Sequence, residues 1–311
     1  MAAYSDKRFD GFKERLDCFV KELDRAHQHY LQRSPQYYIR QANKKTMNSE
    51  IRISPLDQWG LPIEKFFMVA GPCSAESREQ IMEIAEALSS MGISCMRAGA
   101  WKPRTQPGSF EGYGEEALDW LVEARELYNI EICTEVALPE HVEACLKRNI
   151  KVVWIGTRTT ANPFSVQELA NAMQSTDMKV LVKNPICPEI PLWVGAIERF
   201  YNSGIETIIA IHRGFSVPYR SKYRYPPLWE LTKCMKKYLP DIPVILDPSH
   251  ISGNHILIED IINQSKKYGY DGFMIEVHNH PELALTDSRQ QLTTSEFHKI
   301  LKDLSAVKSP E

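Results

Sequence analysis

The chain has 311 residues, 43% apolar and 25% charged, the profile of a soluble globular enzyme rather than of a disordered or fibrous chain. Its 37 Lys and Arg against 40 Asp and Glu leave a net charge of −3, so no global basic field points to nucleic acid or an anionic membrane, and any anion site must be local. No apolar run of about 18 residues occurs, the first 30 residues are highly charged, and the seven Cys are scattered, which argues against a membrane span, a secretory signal and a disulfide framework and for a reduced, cytoplasmic setting.

In chain order, the first predicted element is a helix over residues 8–31. Phe9, Phe12, Leu16, Phe19, Val20, Leu23, Ala26 and Tyr30 recur in steps of three and four, one apolar face of about six turns. Residues 33–46 read as a linker, and "EIRISPL" (50–56) as a short strand that caps the floor of the main domain. From residue 66 onward, eight short apolar runs alternate with amphipathic segments. They span 66–71, 94–100, 130–136, 152–157, 179–184, 207–213, 243–249 and 272–278. Each is too short for a buried helix, several are rich in β-branched residues, and Gly, Pro, Asn or Asp bounds many of them, so strands buried on both faces are expected. The segment 77–92 between the first two is a helix with Ser77 as N-cap and Gly92 just past its end. Eight such alternations over 236 residues (66–301) predict an α/β fold, a (β/α)8 barrel; a doubly wound open sheet is disfavoured because no G-x-G-x-x-G follows any strand. The expected organisation is a helical extension and linker at 1–46, a cap at 47–65 and the barrel at 66–311.

The reactive residues fall where such a barrel gathers its chemistry. Cys73, Arg97, Arg158, Lys183, Arg213, His250 and Glu276 lie at or just after the C-terminal ends of the predicted strands, and those ends share one mouth. Closure makes the first strand a neighbour of the eighth and the eighth a neighbour of the seventh. Cys73, with its sulfur expected to be exposed at a strand rim, then meets His250 and Glu276, and Asp287, 11 residues beyond Glu276, folds back to join them. Thiolate, imidazole and two carboxylates suit Mn²⁺, Fe²⁺, Zn²⁺ or Co²⁺ better than Mg²⁺ or Ca²⁺. Opposite them, Arg97, Lys102, Arg104, Arg158, Lys183 and Arg213 make a cationic rim. Unless anions occupy it, those charges repel one another by several kcal/mol at an effective dielectric of about 20. One or two substrates with several negative charges are expected.

With these motifs in place, the sequence resembles the 3-deoxy-D-arabino-heptulosonate 7-phosphate (DAHP) synthase family, first enzymes of the shikimate pathway, in its shorter bacterial form. The resemblance is carried by "GPCSAES" (71–77), "RAGAWKPRTQPGSFEG" (97–112), "WIGTRTTANPF" (154–164), "VKNP" (182–185), "AIHRGFS" (210–216), "DPSHISG" (247–253) and "MIEVHNHPELALTDSRQQ" (274–291). It implies a condensation of phosphoenolpyruvate with erythrose 4-phosphate. It also implies one divalent metal ion on Cys73, His250, Glu276 and Asp287, with Arg97, Lys102, Arg158, Lys183 and Arg213 on the carboxylate and phosphate of phosphoenolpyruvate. Lys102 is implied as the proton donor or acceptor, Arg104 and Thr105 as the grip on the aldose phosphate, and His278 as a supporting or proton-transfer group.

A homo-oligomer is expected. Regulated members of the family carry a feedback module, and the 8–31 helix matches neither a ferredoxin-like module nor a chorismate mutase helix. Control through the extension or through a separate protein, such as a chorismate mutase, is the corresponding expectation. The rival readings are 3-deoxy-D-manno-octulosonate 8-phosphate synthase, which takes a five-carbon sugar phosphate and shows a K-A-N-R type segment where this chain has "KPRT", and a noncatalytic barrel serving as a regulatory subunit.

Overall fold

The computed structural model describes residues 51–306 apart from Pro62, Glu64, Thr105 and Gln106. The helix expected over 8–31, the linker after it and the Thr105 side chain lie outside the described residues. The strand expected over 50–56 is not formed in its described part, where residues 51–55 carry no regular structure and lead into a 3-10 turn, Leu56–Gln58. The segment still covers the bottom of the barrel. Ser54 N donates to Glu206 O, and Trp59 is buried against Phe67 with their rings 6.0 Å apart.

All eight predicted barrel strands form, as β1 (Phe67–Gly71), β2 (Cys95–Arg97), β3 (Glu131–Val136), β4 (Val152–Ile155), β5 (Lys179–Lys183), β6 (Ile208–His212), β7 (Val244–Leu246) and β8 (Gly272–His278). Each pairs in parallel with its sequence neighbours, and β1 also pairs with β8, which closes a (β/α)8 barrel. A two-residue strand that the sequence pattern does not announce, β9 (Leu292–Thr293), adds in parallel to the end of β8. The strands read as continuous apolar runs because both faces are dry. Alternate side chains such as Phe67, Val69, Trp154, Leu181 and Met274 fill the barrel interior, while Met68, Ala70, Val153, Val180 and Ile275 meet the surrounding helices. The first of those helices, α1 (Arg78–Ser90), starts as expected: the Ser77 hydroxyl accepts from Gln80 N at 3.1 Å, and Gly92 follows in the left-handed region. Among the described residues no helix is long and apolar enough to cross a membrane.

Closure sets the register of the mouth. Gly71 lies opposite Glu276 across the β1–β8 seam, and Phe67 lies opposite Gly272 at its other end. Gly272 allows the two backbones to approach, because a Cβ there would run into the Phe67 carbonyl oxygen and its carbon. We expect Gly272→Ala to cost about 1–3 kcal/mol, the range for a forced contact in a packed interior. A urea midpoint unchanged by the substitution would show that the seam tolerates it.

Candidate active site and metal centre

The mouth is built on a buried aromatic floor. Trp154 on β4 carries the Arg97 guanidinium over its ring at 4.7 Å and Lys183 Nζ at 5.8 Å, while its own Nε1 donates to Glu135 Oε2 at 3.0 Å. Arg97 is 1% exposed. It pairs with Glu276 Oε1 at 3.2 Å, and its Nε donates to Pro72 O at 3.3 Å. Lys183 Nζ meets Asp247 Oδ2 at 2.9 Å, both groups buried. Above this floor opens a cavity of about 330 Å³ whose lining includes Lys102, Arg104, Arg158, Lys183, Arg213, His250 and Asp287. Every cation expected from the sequence is therefore on the cavity wall or, as Arg97, in its floor; Arg104 stands exposed on the rim.

Cys73, Glu276 and Asp287 present donor atoms that all lie within 4.8 Å of one another. The fourth expected ligand, His250, places Nε2 3.7 Å from Glu276 Oε1 while Asp247 holds its Nδ1 at 2.8 Å through Oδ2. A carboxylate on one imidazole nitrogen is the arrangement that aims the other nitrogen at a metal. Burial lowers the His250 pKa despite the neighbouring Asp247 charge, the direction that favours the neutral ring a ligand must be. Burial acts on Asp287 in the opposite direction, but His250 and Arg224 outweigh it and keep the carboxyl well below its usual range.

One expectation is corrected. The Cys73 sulfur is not exposed at a rim: the residue is fully buried, because Lys102 Nζ reaches down to Sγ at 3.0 Å and the thiol donates to Asp287 Oδ2 at 3.4 Å. Burial and the Glu276 charge push this thiol up to about 12. A divalent ion would reverse that, since a coordinating thiol is deprotonated. The donor set fits such an ion on a second count. Glu276 Oε1 is buried and accepts no hydrogen bond among the described residues, an atom with a lone pair to give.

Burial alone would lower the Lys102 pKa, but the Cys73 sulfur and the Glu135 and Glu276 carboxylates raise it, so this lysine is held as a cation. Arg213 is the reverse case. Its guanidinium stacks 3.8 Å from the Tyr225 ring, 4% exposed, with Nε and Nη1 lacking any hydrogen-bond partner among the described residues, and burial lowers its pKa. Arg158 Nη1 donates to Pro103 O at 2.8 Å, tying strand β4's loop to the one that bears Lys102 and Arg104. His278 turns away from the cavity toward Gln80 and Glu76, at 2.8 and 3.9 Å, and helps lock the β1 and β8 loops together instead.

Several site residues escape a reading of the sequence. Asp247 is visible there only as part of a turn, and Glu135 lines the cavity from the penultimate position of β3. Arg224, Gln290 and Gln291 sit in loops and reach the site only through tertiary packing. Gln291 Oε1 accepts from Cys73 N at 3.0 Å across 218 residues of chain. The sole advance sign of the last two is their place in the "TDSRQQ" motif.

Fold and site together define a barrel enzyme with a mixed sulfur, nitrogen and oxygen donor set beside a cationic cavity. The chain belongs to the DAHP synthetase I family, whose model matches residues 63–309. It is 32% identical over 242 residues to a phospho-2-dehydro-3-deoxyheptonate aldolase of Thermotoga maritima, covering 78% of this chain and 70% of that one. The crystal structure of the DAHP synthase from Thermotoga maritima superposes with a TM-score of 0.70 at 30% identity, covering 77% of this chain and 68% of the other. A 2-dehydro-3-deoxyphosphooctonate aldolase of Nitratidesulfovibrio vulgaris is more distant, at 27% identity over 272 residues, 79% of this chain and 93% of that one.

The buried Lys183 and Asp247 pair yields a stability test. Asp247→Asn strands a buried ammonium and should cost about 3–5 kcal/mol in denaturant unfolding, whereas adding Lys183→Met should restore much of the loss. Additive losses in the double variant would mean that the two charges do not support each other.

Proposed function

We propose that this chain condenses phosphoenolpyruvate with erythrose 4-phosphate and water to give 3-deoxy-D-arabino-heptulosonate 7-phosphate and inorganic phosphate. Family membership supports the reaction class, and the observation that carries the reading to this site is Arg213. A guanidinium on the cavity wall, almost wholly buried and with two donors unpartnered among the described residues, carries a charge that is costly unless an anion in the cavity balances it, and a phosphate or carboxylate is the anion that suits a guanidinium.

On this reading Arg97, Lys102, Arg158, Lys183 and Arg213 hold the carboxylate and phosphate of phosphoenolpyruvate. Arg104, at the rim, grips the phosphate of the aldose together with Thr105. Cys73, His250, Glu276 and Asp287 would hold one divalent ion, which supplies Lewis-acid polarisation of the aldehyde when bound. The C3 carbon of phosphoenolpyruvate bonds to the aldehyde carbon, water adds at C2, and phosphate leaves with cleavage of the C–O bond. Lys102, cationic and beside Cys73, gives its proton to the oxygen of the former aldehyde. The fixed cations of the floor stabilise the charge that develops without having to reorganise.

The decisive assay is phosphate release from phosphoenolpyruvate with erythrose 4-phosphate, in parallel with arabinose 5-phosphate, in chelator and after Mn²⁺ is restored. Turnover is expected with the four-carbon sugar only, lost in chelator and regained with Mn²⁺. Preference for the five-carbon sugar would transfer the chain to the chemistry named for its more distant relatives, and silence with both would favour a noncatalytic barrel. Lys102→Met should lower kcat by about 10²–10⁴, the usual contribution of a positioned proton donor, with a smaller change in the melting temperature than in the rate. An unaltered kcat would remove Lys102 from the proton transfer.

A further inference from the structure

The four proposed ligands come from strand β8 and from the segments that follow β1, β7 and β8, and nothing in their own chemistry explains how each carboxylate is limited to one free oxygen. Gln290 supplies part of the answer. It is 1% exposed, its Nε2 donates to Glu276 Oε2 at 2.7 Å, and its Oε1 accepts from Arg224 Nη1 at 3.0 Å. A guanidinium has donors only, so Arg224 compels Gln290 to present its oxygen outward and its amino group to Glu276. Glu276 Oε2 is thereby used, and Oε1, which lies 3.2 Å from the Arg97 guanidinium and 3.7 Å from His250 Nε2, accepts no hydrogen bond among the described residues.

The same Arg224 Nη1 donates to Asp287 Oδ1 at 3.0 Å, which leaves Oδ2 facing the Cys73 sulfur. Each carboxylate thus gives one oxygen to the clamp and one to the donor cluster. Arg224 is itself fixed to the segment that bears His250: Arg224 N donates to Ser252 O and Tyr225 N to Ile251 O, each at 3.1 Å. Gly253, at φ +66°, lies beneath it, where a Cβ would strike the Arg224 side chain. One residue therefore touches the chain segments of His250 and Asp287 directly and that of Glu276 through a single amide.

We infer that Arg224 and Gln290 are positioning residues for the metal ligands, acting as a hydrogen-bonded clamp that orients Glu276 and Asp287. This rests on the proposed metal reading. A divalent ion asks for one oxygen from each carboxylate at a defined direction, and a carboxylate free to rotate offers that direction only part of the time.

The test uses the full chain stripped of metal, with Mn²⁺ as probe. Affinity is measured by competition with a chelating dye, and Co²⁺ bound in place of Mn²⁺ reports the Cys73 thiolate through its sulfur-to-metal absorption band. Gln290→Leu removes both bonds of the amide without changing charge; Arg224→Lys keeps the charge but, with a shorter side chain, draws back the one nitrogen that serves both Asp287 and Gln290. Each should weaken Mn²⁺ binding about 10- to 100-fold and alter the Co²⁺ band, with little change in the melting temperature of the metal-free protein. Should Gln290→Leu fail to fold, the half-exposed Arg224→Lys decides alone. Wild-type affinity and spectrum in the folded variants would overturn the clamp. So would a raised KM for phosphoenolpyruvate with unchanged Mn²⁺ affinity, which would make Arg224 a substrate cation. A wild-type chain that binds no Mn²⁺ would instead overturn the metal reading on which the clamp rests.

Discussion

Arg97 and Glu276, at the bottom of the mouth, are both withdrawn from water, and the pairing that makes this possible governs the rest of the site. Their side chains are 1% and 0% exposed and meet at 3.2 Å. Either charge alone would cost several kcal/mol at that depth. The barrel supplies the partner by closing. Glu276 on β8 lies opposite Gly71 on β1, and Arg97 ends β2, the strand on the other side of β1. The pair does not satisfy itself completely, since Arg97 Nη1 and Glu276 Oε1 both lack a hydrogen bond among the described residues. One of these residual valences offers a donor and the other a lone pair.

The cationic rim follows from the same logic. Six positive side chains around one mouth would repel one another, but the fold threads acids between them: Glu276 beside Arg97, Asp247 beside Lys183, and Asp287 near Lys102 through the Cys73 thiol. Repulsion is thereby relieved locally and preserved where it is useful, at Arg213, whose aromatic partner Tyr225 shields one face without neutralising the charge. The result is a pocket set before substrate arrives, with its dipoles and charges already fixed by neighbours.

The barrel is readable in the sequence because its physics is repetitive. Strands such as Val152–Ile155 are buried on both faces, so they announce themselves as short apolar runs, and the chemistry placed at their ends is assigned to one mouth by topology alone. Cys73, Arg97, Lys183, Arg213, His250 and Glu276 are legible for that reason. The depth of the Cys73 sulfur is not, since it depends on Lys102 folding over it from another loop. Nor are Arg224, Gln290 and Gln291, whose contacts with the site span 14 to 218 residues and leave no period in the sequence. The described part of the 50–56 segment, residues 51–56, shows the converse failure: a stretch that suits a strand is used to plug the barrel floor, because no sheet edge is open there to pair with it.

The central claim is that barrel closure assembles one metal centre from Cys73, His250, Glu276 and Asp287. The measurement that tests it most directly is a crystal structure of the chain soaked with Mn²⁺, with diffraction recorded at the manganese absorption edge. The account predicts a single anomalous peak about 2.0–2.5 Å from a donor atom of each of these four residues, the span of metal–ligand bonds for such donors. A peak held by other side chains, or none at the mouth under conditions that saturate turnover, would contradict it.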